Sequence, residues 1–308
     1  MRVIRAEEMG MCFGVKDALQ AARSVPDPST VTIHGELVHN PSVITQLLEA
    51  GFQQSPEDHR RAPARTPLVL ITAHGVSNVE RRRLAVAHTG LIDTTCPLVS
   101  RVHDAALALQ AEGRHVLLIG TPGHVEVRGI VGDLDHYDIV AKASKVRGYG
   151  YRRLGVVSQT TMPPEVVDDV CARIRHDNPR ADIRVVDTVC QPTRLRQRAL
   201  LELVRQVHAV VVVGGRRSNN TRRLLQLCHD RHMPAIQVES ADDLDPAWFG
   251  DARTVGLTAG TSTLDETIDE VQRALEQIES IDRIEPRSGI ERVRPTLPTT
   301  TQAPRGQT

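Results

Sequence analysis

The chain has 308 residues with 38 basic and 38 acidic side chains, so it can bury one or two cores and carries no net field toward nucleic acid or anionic membrane. Aromatic residues make up only 2%, too few to stack single-stranded bases, and no apolar run approaches the roughly 18 residues of a spanning helix. The opening MRVIRAEEMGMC lacks a signal peptide's apolar stretch, so a cytoplasmic protein with neither nucleic-acid nor membrane partner is expected.

In chain order, RVIRA reads as a first strand that leads to Cys12 and the helix-like VKDALQAAR. His39 lies four residues past Gly35, and the strand-like LVLITAHG ends at His74. A second copy of the pattern opens with LIDTTC at Cys96 and the helix-like VSRVHDAALALQAEG. HVLLIG follows and ends at Gly120; His124 is four residues beyond, Glu126 two further, and LGVVSQT closes the copy at Thr160. The third copy opens with VVDTVC at Cys190 and the helix-like PTRLRQRALLELVRQ. AVVVVG ends at Gly214, with Ser218 four beyond and Asn220 two further, then the helix-like NNTRRLLQLCHDRH and the strand TVGLTAGTS to Ser262.

Short apolar strands alternating with helices of about 10–15 residues predict an α/β protein with mostly parallel sheets. The repeat divides it into modules at 1–92, 93–186 and 187–282, arranged around a pseudo-threefold centre where strand carboxyl ends bring the three cysteines together. The tail 283–308 is rich in Pro, Thr and Arg without apolar periodicity and is expected to be disordered.

The five cysteines are odd in number and far apart, which argues against a disulfide framework and for metal binding or catalysis. Cys171 and Cys228 sit within helical patterns and read as small core hydrophobes. Cys12, Cys96 and Cys190 each follow a strand beside a turn or helix start, where backbone N–H groups favour a thiolate. Three thiolates suit either a zinc ion or an iron–sulfur cube with one iron left open. The histidines, hydroxyls and amide at matching strand ends offer many donors with little fixed charge, which suits a diphosphate. GGRRSNNTRRL adds a glycine loop entering a helix N-terminus, another anion-binding arrangement. Glu126 is the carboxylate of the set and the natural proton donor. The arginine run at 81–83 and the arginines of TRLRQR are expected on solvated helix faces, whereas Arg216 and Arg217 neighbour the anion loop.

Assembled in order, these segments resemble the 4-hydroxy-3-methylbut-2-enyl diphosphate reductase family (IspH, also called LytB). The likeness covers about residues 2–280 and rests on GMCFGV, ELVHNPSV, AHGVS, DTTCPLV, GHVEVRG, SQTTM, DTVCQPTRLRQ, RSNNTRRL and TAGTST at compatible spacing. It implies three α/β modules around one [4Fe-4S] cluster per chain, held by Cys12, Cys96 and Cys190 with one iron open. It also implies reductive removal of an allylic hydroxyl, the last step of the methylerythritol phosphate route to isoprenoids. In that picture the substrate hydroxyl meets the open iron, and ferredoxin or flavodoxin supplies electrons. Glu126 gives the proton and Thr160 orders the hydroxyl network. His39, His74, His124, Thr160, Ser218, Asn219, Asn220 and Ser262 contact the substrate, most of them at its diphosphate.

Two positions depart from the family pattern. Met9–Gly10–Met11 stands where Arg-Gly-Phe is common, and Ser218–Asn219–Asn220 where Ser-Ser-Asn is usual; Asn219 still offers an N–H but is bulkier than serine. Two other readings use the same residues: a redox-neutral iron–sulfur hydro-lyase or condensing enzyme, as in the threefold quinolinate synthase, and a non-enzymatic iron or redox sensor. A sensor has no need of a proton donor such as Glu126.

Overall fold

The valine run at 209–213 and the HVLLI run at 115–119 are apolar on both faces of the pleat, and both are buried along their whole length. Strands of this kind need helices on both sides of a parallel sheet. The computed structural model describes residues 1–57 and 66–278. It contains three four-stranded sheets among those residues, with parallel pairing throughout.

The chain begins with β1 (Arg2–Arg5) and α1 (Phe13–Arg23). The first sheet then forms from β2 (Val31–His34), β3 (Gln53–Gln54), β4 (Leu68–Ile71) and β5 (Gly90–Asp93), with α2 (Pro41–Glu49) and α3 (Asn78–Ala87) between strands. The second module runs α4 (Pro97–Ala111), β6 (His115–Ile119), α5 (Val125–Val131), β7 (Tyr137–Val140), β8 (Arg153–Ser158), α6 (Pro164–Asp177) and β9 (Asp182–Val185). The third runs α7 (Gln191–Leu203), β10 (Ala209–Val213), α8 (Asn219–His229), β11 (Ala235–Val238), β12 (Thr254–Ala259) and α9 (Asp265–Gln277).

Strand order repeats from sheet to sheet: β3-β2-β4-β5, β7-β6-β8-β9 and, read the same way, β11-β10-β12-β1. The expected division at 1–92 is therefore corrected at its start. β1 does not join the first module's sheet; it lies parallel to β12, with Arg2 opposite Thr254 and Arg5 opposite Leu257. It fills in the third sheet the place that β5 and β9 fill in the other two. The sequence pattern of strand followed by cysteine was visible, but which sheet a strand joins is a non-local choice that periodicity does not encode. The last residues of the third division (279–282) and the tail 283–308 lie outside the described residues.

Apolar helix faces close each sheet. Leu200, Leu203 and Leu224 pack on Val210 and Val212, while Ile268, Val271 and Leu275 cover Val211 and Leu257 from the other side. Cys171 and Cys228 fall within such clusters, packed as small hydrophobes, and burial raises both thiols, Cys228 to about 12. No helix among the described residues is long and apolar enough to cross a membrane.

Because β1 completes the third sheet, deleting residues 1–5 should bare the β12 edge. The expected result is a thermal midpoint lowered by at least about 5 °C, with the earliest proteolytic cuts in 187–278. An unchanged midpoint would mean the strand contributes nothing to that sheet.

Candidate active site

The fourth strand of each sheet hands the chain to a cysteine, and that cysteine is the N-cap of the next helix: Cys12 of α1, Cys96 of α4 and Cys190 of α7. None of the three spends its side chain on the cap, so the thiols remain turned toward the centre. Gly14 makes their approach possible: a Cβ there would lie 2.5 Å from the Cys96 sulfur. Arg196 fixes the Cys12 loop from the third module by donating to the Gly10 carbonyl at 2.7 and 3.1 Å and to the Pro192 carbonyl at 3.1 Å. At 4% exposure it is not on a solvated face, which corrects the expectation for TRLRQR at this position. An arginine at a cysteine plus six could have been noticed, but only the fold shows what it holds.

Every candidate catalytic, substrate-binding and metal-binding residue named from the sequence lines one pocket, open to solvent. Its walls include Cys12, Cys96 and Cys190, then His39, His74 and His124, then Glu126 and Thr160, and finally Ser218, Asn219, Asn220 and Ser262.

Burial sets the protonation of the thiols. It raises Cys96, and it pushes Cys190 up to about 11 although the Thr193 hydroxyl is 3.1 Å from its sulfur. Cys12 and Glu126 are close enough to add unfavourable charge to both. Buried thiols of this kind become thiolates when a cationic metal centre compensates them. On one tetrahedral ion, sulfurs would lie roughly 4 Å apart. Among the described residues no three His, Cys, Asp or Glu side chains are gathered on one ion-sized point.

Glu126 lies in the first turn of α5 and is 2% exposed. The Thr160 backbone N–H donates to one carboxylate oxygen at 2.7 Å and the Thr160 hydroxyl to the other at 3.0 Å. Desolvation outweighs both bonds and lifts the carboxyl to about 7. The Thr160 carbonyl in turn accepts the Cys190 N–H at 2.9 Å, so one residue ties the acid to a thiol-bearing loop.

The three histidines form a cluster. The His39 and His74 rings stack with centroids 4.4 Å apart, and His124 meets them edge-on at 5.6 and 5.8 Å. His124 caps α5, its Nδ1 accepting the Glu126 N–H at 3.2 Å. Burial first, then the positive fields of His39 and Arg222, bring it down to about 3, so it is a neutral ring with its proton on Nε2. His39 turns Nδ1 toward Glu36, 2.7 Å from the carboxylate.

In the third module Ser218 caps α8, its Oγ accepting the Thr221 N–H at 3.3 Å and leaving its own O–H to donate. The Asn220 carbonyl oxygen accepts the Thr261 N–H at 3.2 Å, while its buried NH2 group has no partner among the described residues. Asn219 sends its amide away to the Thr161 hydroxyl at 2.9 Å, so the bulkier residue bridges two modules. Ser262 donates to the His39 carbonyl at 3.3 Å and accepts Asn40 Nδ2 at 2.6 Å. Glu36, Thr161, Thr193 and Arg196 were missed from sequence as site residues; besides the arginine six residues after Cys190, a carboxylate three residues before His39 was a local signal.

A pocket lined by hydrogen-bond donors, a buried carboxyl and three thiols, in a chain of three parallel α/β sheets, defines an enzyme of the triplicated α/β class. The chain belongs to the LytB protein family, whose model matches residues 3–276. It is 36% identical over 282 residues to the 4-hydroxy-3-methylbut-2-enyl diphosphate reductase of Pelobacter propionicus, covering 90% of this chain and 99% of that protein. It is 32% identical to the enzyme of that name from Aquifex aeolicus, with 90% and 96% covered. A solved (E)-4-hydroxy-3-methyl-but-2-enyl diphosphate reductase superposes with a TM-score of 0.64 at 31% identity, over 90% of this chain and 100% of that one. The Plasmodium falciparum E-1-hydroxy-2-methyl-but-2-enyl-4-diphosphate reductase shares the fold at a TM-score of 0.81 and 24% identity, over 90% and 88% of the two chains.

Gly14→Ala should force the Cys96 sulfur aside, since a Cβ cannot occupy that gap. Iron bound after anaerobic reconstitution is expected to fall below about half the wild-type amount while circular dichroism is unchanged. Full iron content would refute the tight approach.

Proposed function

We infer that this chain is a 4-hydroxy-3-methylbut-2-enyl diphosphate reductase, removing the substrate's allylic hydroxyl to give isopentenyl and dimethylallyl diphosphate. Family membership supports the reaction, and the observation that carries the site is the pairing, in one pocket, of a buried carboxyl raised to about 7 with three inward thiols. Cys12, Cys96 and Cys190 are the residues that would hold the [4Fe-4S] cluster that family membership implies. When bound, such a group supplies Lewis-acid and one-electron chemistry at one point. Ferredoxin or flavodoxin serves as the electron donor.

The protein's own groups do the rest. Two electrons and two protons convert the carbon–oxygen bond to a carbon–hydrogen bond and water. Glu126 holds a proton on a carboxyl oxygen at neutral pH and delivers it at the departing hydroxyl. Thr160 orders that carboxyl through its N–H and hydroxyl. The neutral His124 offers Nε2–H, Ser218 its hydroxyl and Asn220 its unpartnered NH2 group to the diphosphate. His39, His74, Asn219 and Ser262 complete that end of the pocket. Burial of these donors excludes competing water and strengthens each bond.

Glu126 must carry its proton to act, so the rate should fall as pH rises through about 7. Glu126→Gln should retain iron yet lose roughly 10²- to 10⁴-fold in kcat; full activity would refute the assigned role. Anaerobic turnover of the allylic diphosphate should require a reduced donor, and product formed without one would favour the redox-neutral alternative.

A further inference from the structure

His39 is held from across a module boundary. Gly215 of the third module runs so close that a Cβ there would lie 2.6 Å from the His39 carbonyl oxygen, which also accepts the Ser262 hydroxyl. The ring is held as well. Glu36, 7% exposed, accepts from His39 Nδ1 with one carboxylate oxygen at 2.7 Å and from the Arg217 guanidinium with the other at 2.7 Å. The Glu36 backbone N–H is bound in turn by the Glu57 carboxylate at 2.7 Å. Arg217 immediately precedes Ser218–Asn219–Asn220, so the network ends on the third module's donor loop.

We propose that Glu36 is a positioning residue for His39, held in place by Arg217, that fixes the ring so that Nε2 is presented to the anionic end of the substrate. This rests on the reductase reading above, in which that end is a diphosphate. A carboxylate accepts hydrogen bonds and gives none, so it requires an N–H at Nδ1 and selects one of two ring flips; in the doubly protonated ring, the form whose positive field bears on His124, Nε2–H then donates to the anion. The stacked His74 ring and edge-on His124 hold the plane of the His39 ring. Arg217 offsets the Glu36 charge and spans the two modules, so the first module's histidine and the third module's donor loop face the ligand as a unit. Glu36 touches no reacting atom, so its loss should weaken ligand binding with little effect on the chemical step.

The test uses iron-loaded enzyme and the variants Glu36→Gln, Arg217→Met and their combination. Inorganic diphosphate is titrated by calorimetry, and KM and kcat are measured with the allylic diphosphate and a reduced donor. Glu36→Gln should raise the diphosphate Kd and the KM about 10-fold or more while kcat stays within about threefold. Arg217→Met should raise both about threefold in the wild-type background and add nothing to Glu36→Gln. An unchanged Kd in Glu36→Gln, or additive effects in the double variant, would overturn the proposal. If Glu36→Gln does not fold, Arg217→Met must still raise the Kd and Arg217→Lys must restore it; failure of either overturns it. A wild-type enzyme that binds diphosphate but does not turn over the substrate sinks the reductase reading, and the Kd values still decide the role of Glu36. No diphosphate binding by the wild type overturns both.

Discussion

An edge strand of each sheet leads on to a cysteine at the N-cap of a helix, and the three cysteines line one pocket. The chain closes on itself: β1, the first strand, completes the last sheet and then delivers Cys12 to the centre. The first and third modules cannot be displaced independently, because β1 pairs with β12 and leads on to Cys12. Gly14, which gives up its side chain to the Cys96 sulfur, marks how close the approach is.

The centre that results is poor in fixed charge and rich in groups held off their ordinary protonation. Desolvation drives the shifts at Glu126, His124, Cys96 and Cys190, and in each case it favours the neutral form. A carboxyl that keeps its proton near neutral pH, and an imidazole that gives up its charge but keeps an N–H, are suited to donating hydrogen bonds. Hydrogen-bond partners then decide direction: Thr160 aligns Glu126, and the Glu126 N–H decides which nitrogen of His124 carries the proton. One short segment, His124–Val125–Glu126, thus caps a helix and prepares both a donor and an acid.

The changed loop at Ser218–Asn219–Asn220 has a simple structural accommodation. The extra length of Asn219 carries its amide to Thr161 in the second module, and the preceding Arg217 reaches Glu36 in the first. A loop that in sequence looks like a local anion-binding turn is, in the fold, tied to both other modules.

Much of this was legible in the sequence because the information is local and repeated. Apolar runs marked β4, β6, β8, β10 and β12 but not β2, β3, β7 or β11; helical periodicity placed α4, α7 and α8; and a cysteine after each of three strands marked the centre. The candidate site residues other than Asn219, which the family resemblance supplied, were found by their matching offsets, and all of them line one pocket. What only the tertiary structure decided is whatever depends on partners distant in the chain. β1 joins β12, some 250 residues away, because an open parallel edge is satisfied by geometry and not by any local pattern. Arg196 is buried, not solvated, because the Gly10 carbonyl reaches it from the other end of the chain. The protonation of Glu126 and His124 follows from burial, which no residue carries in its own identity.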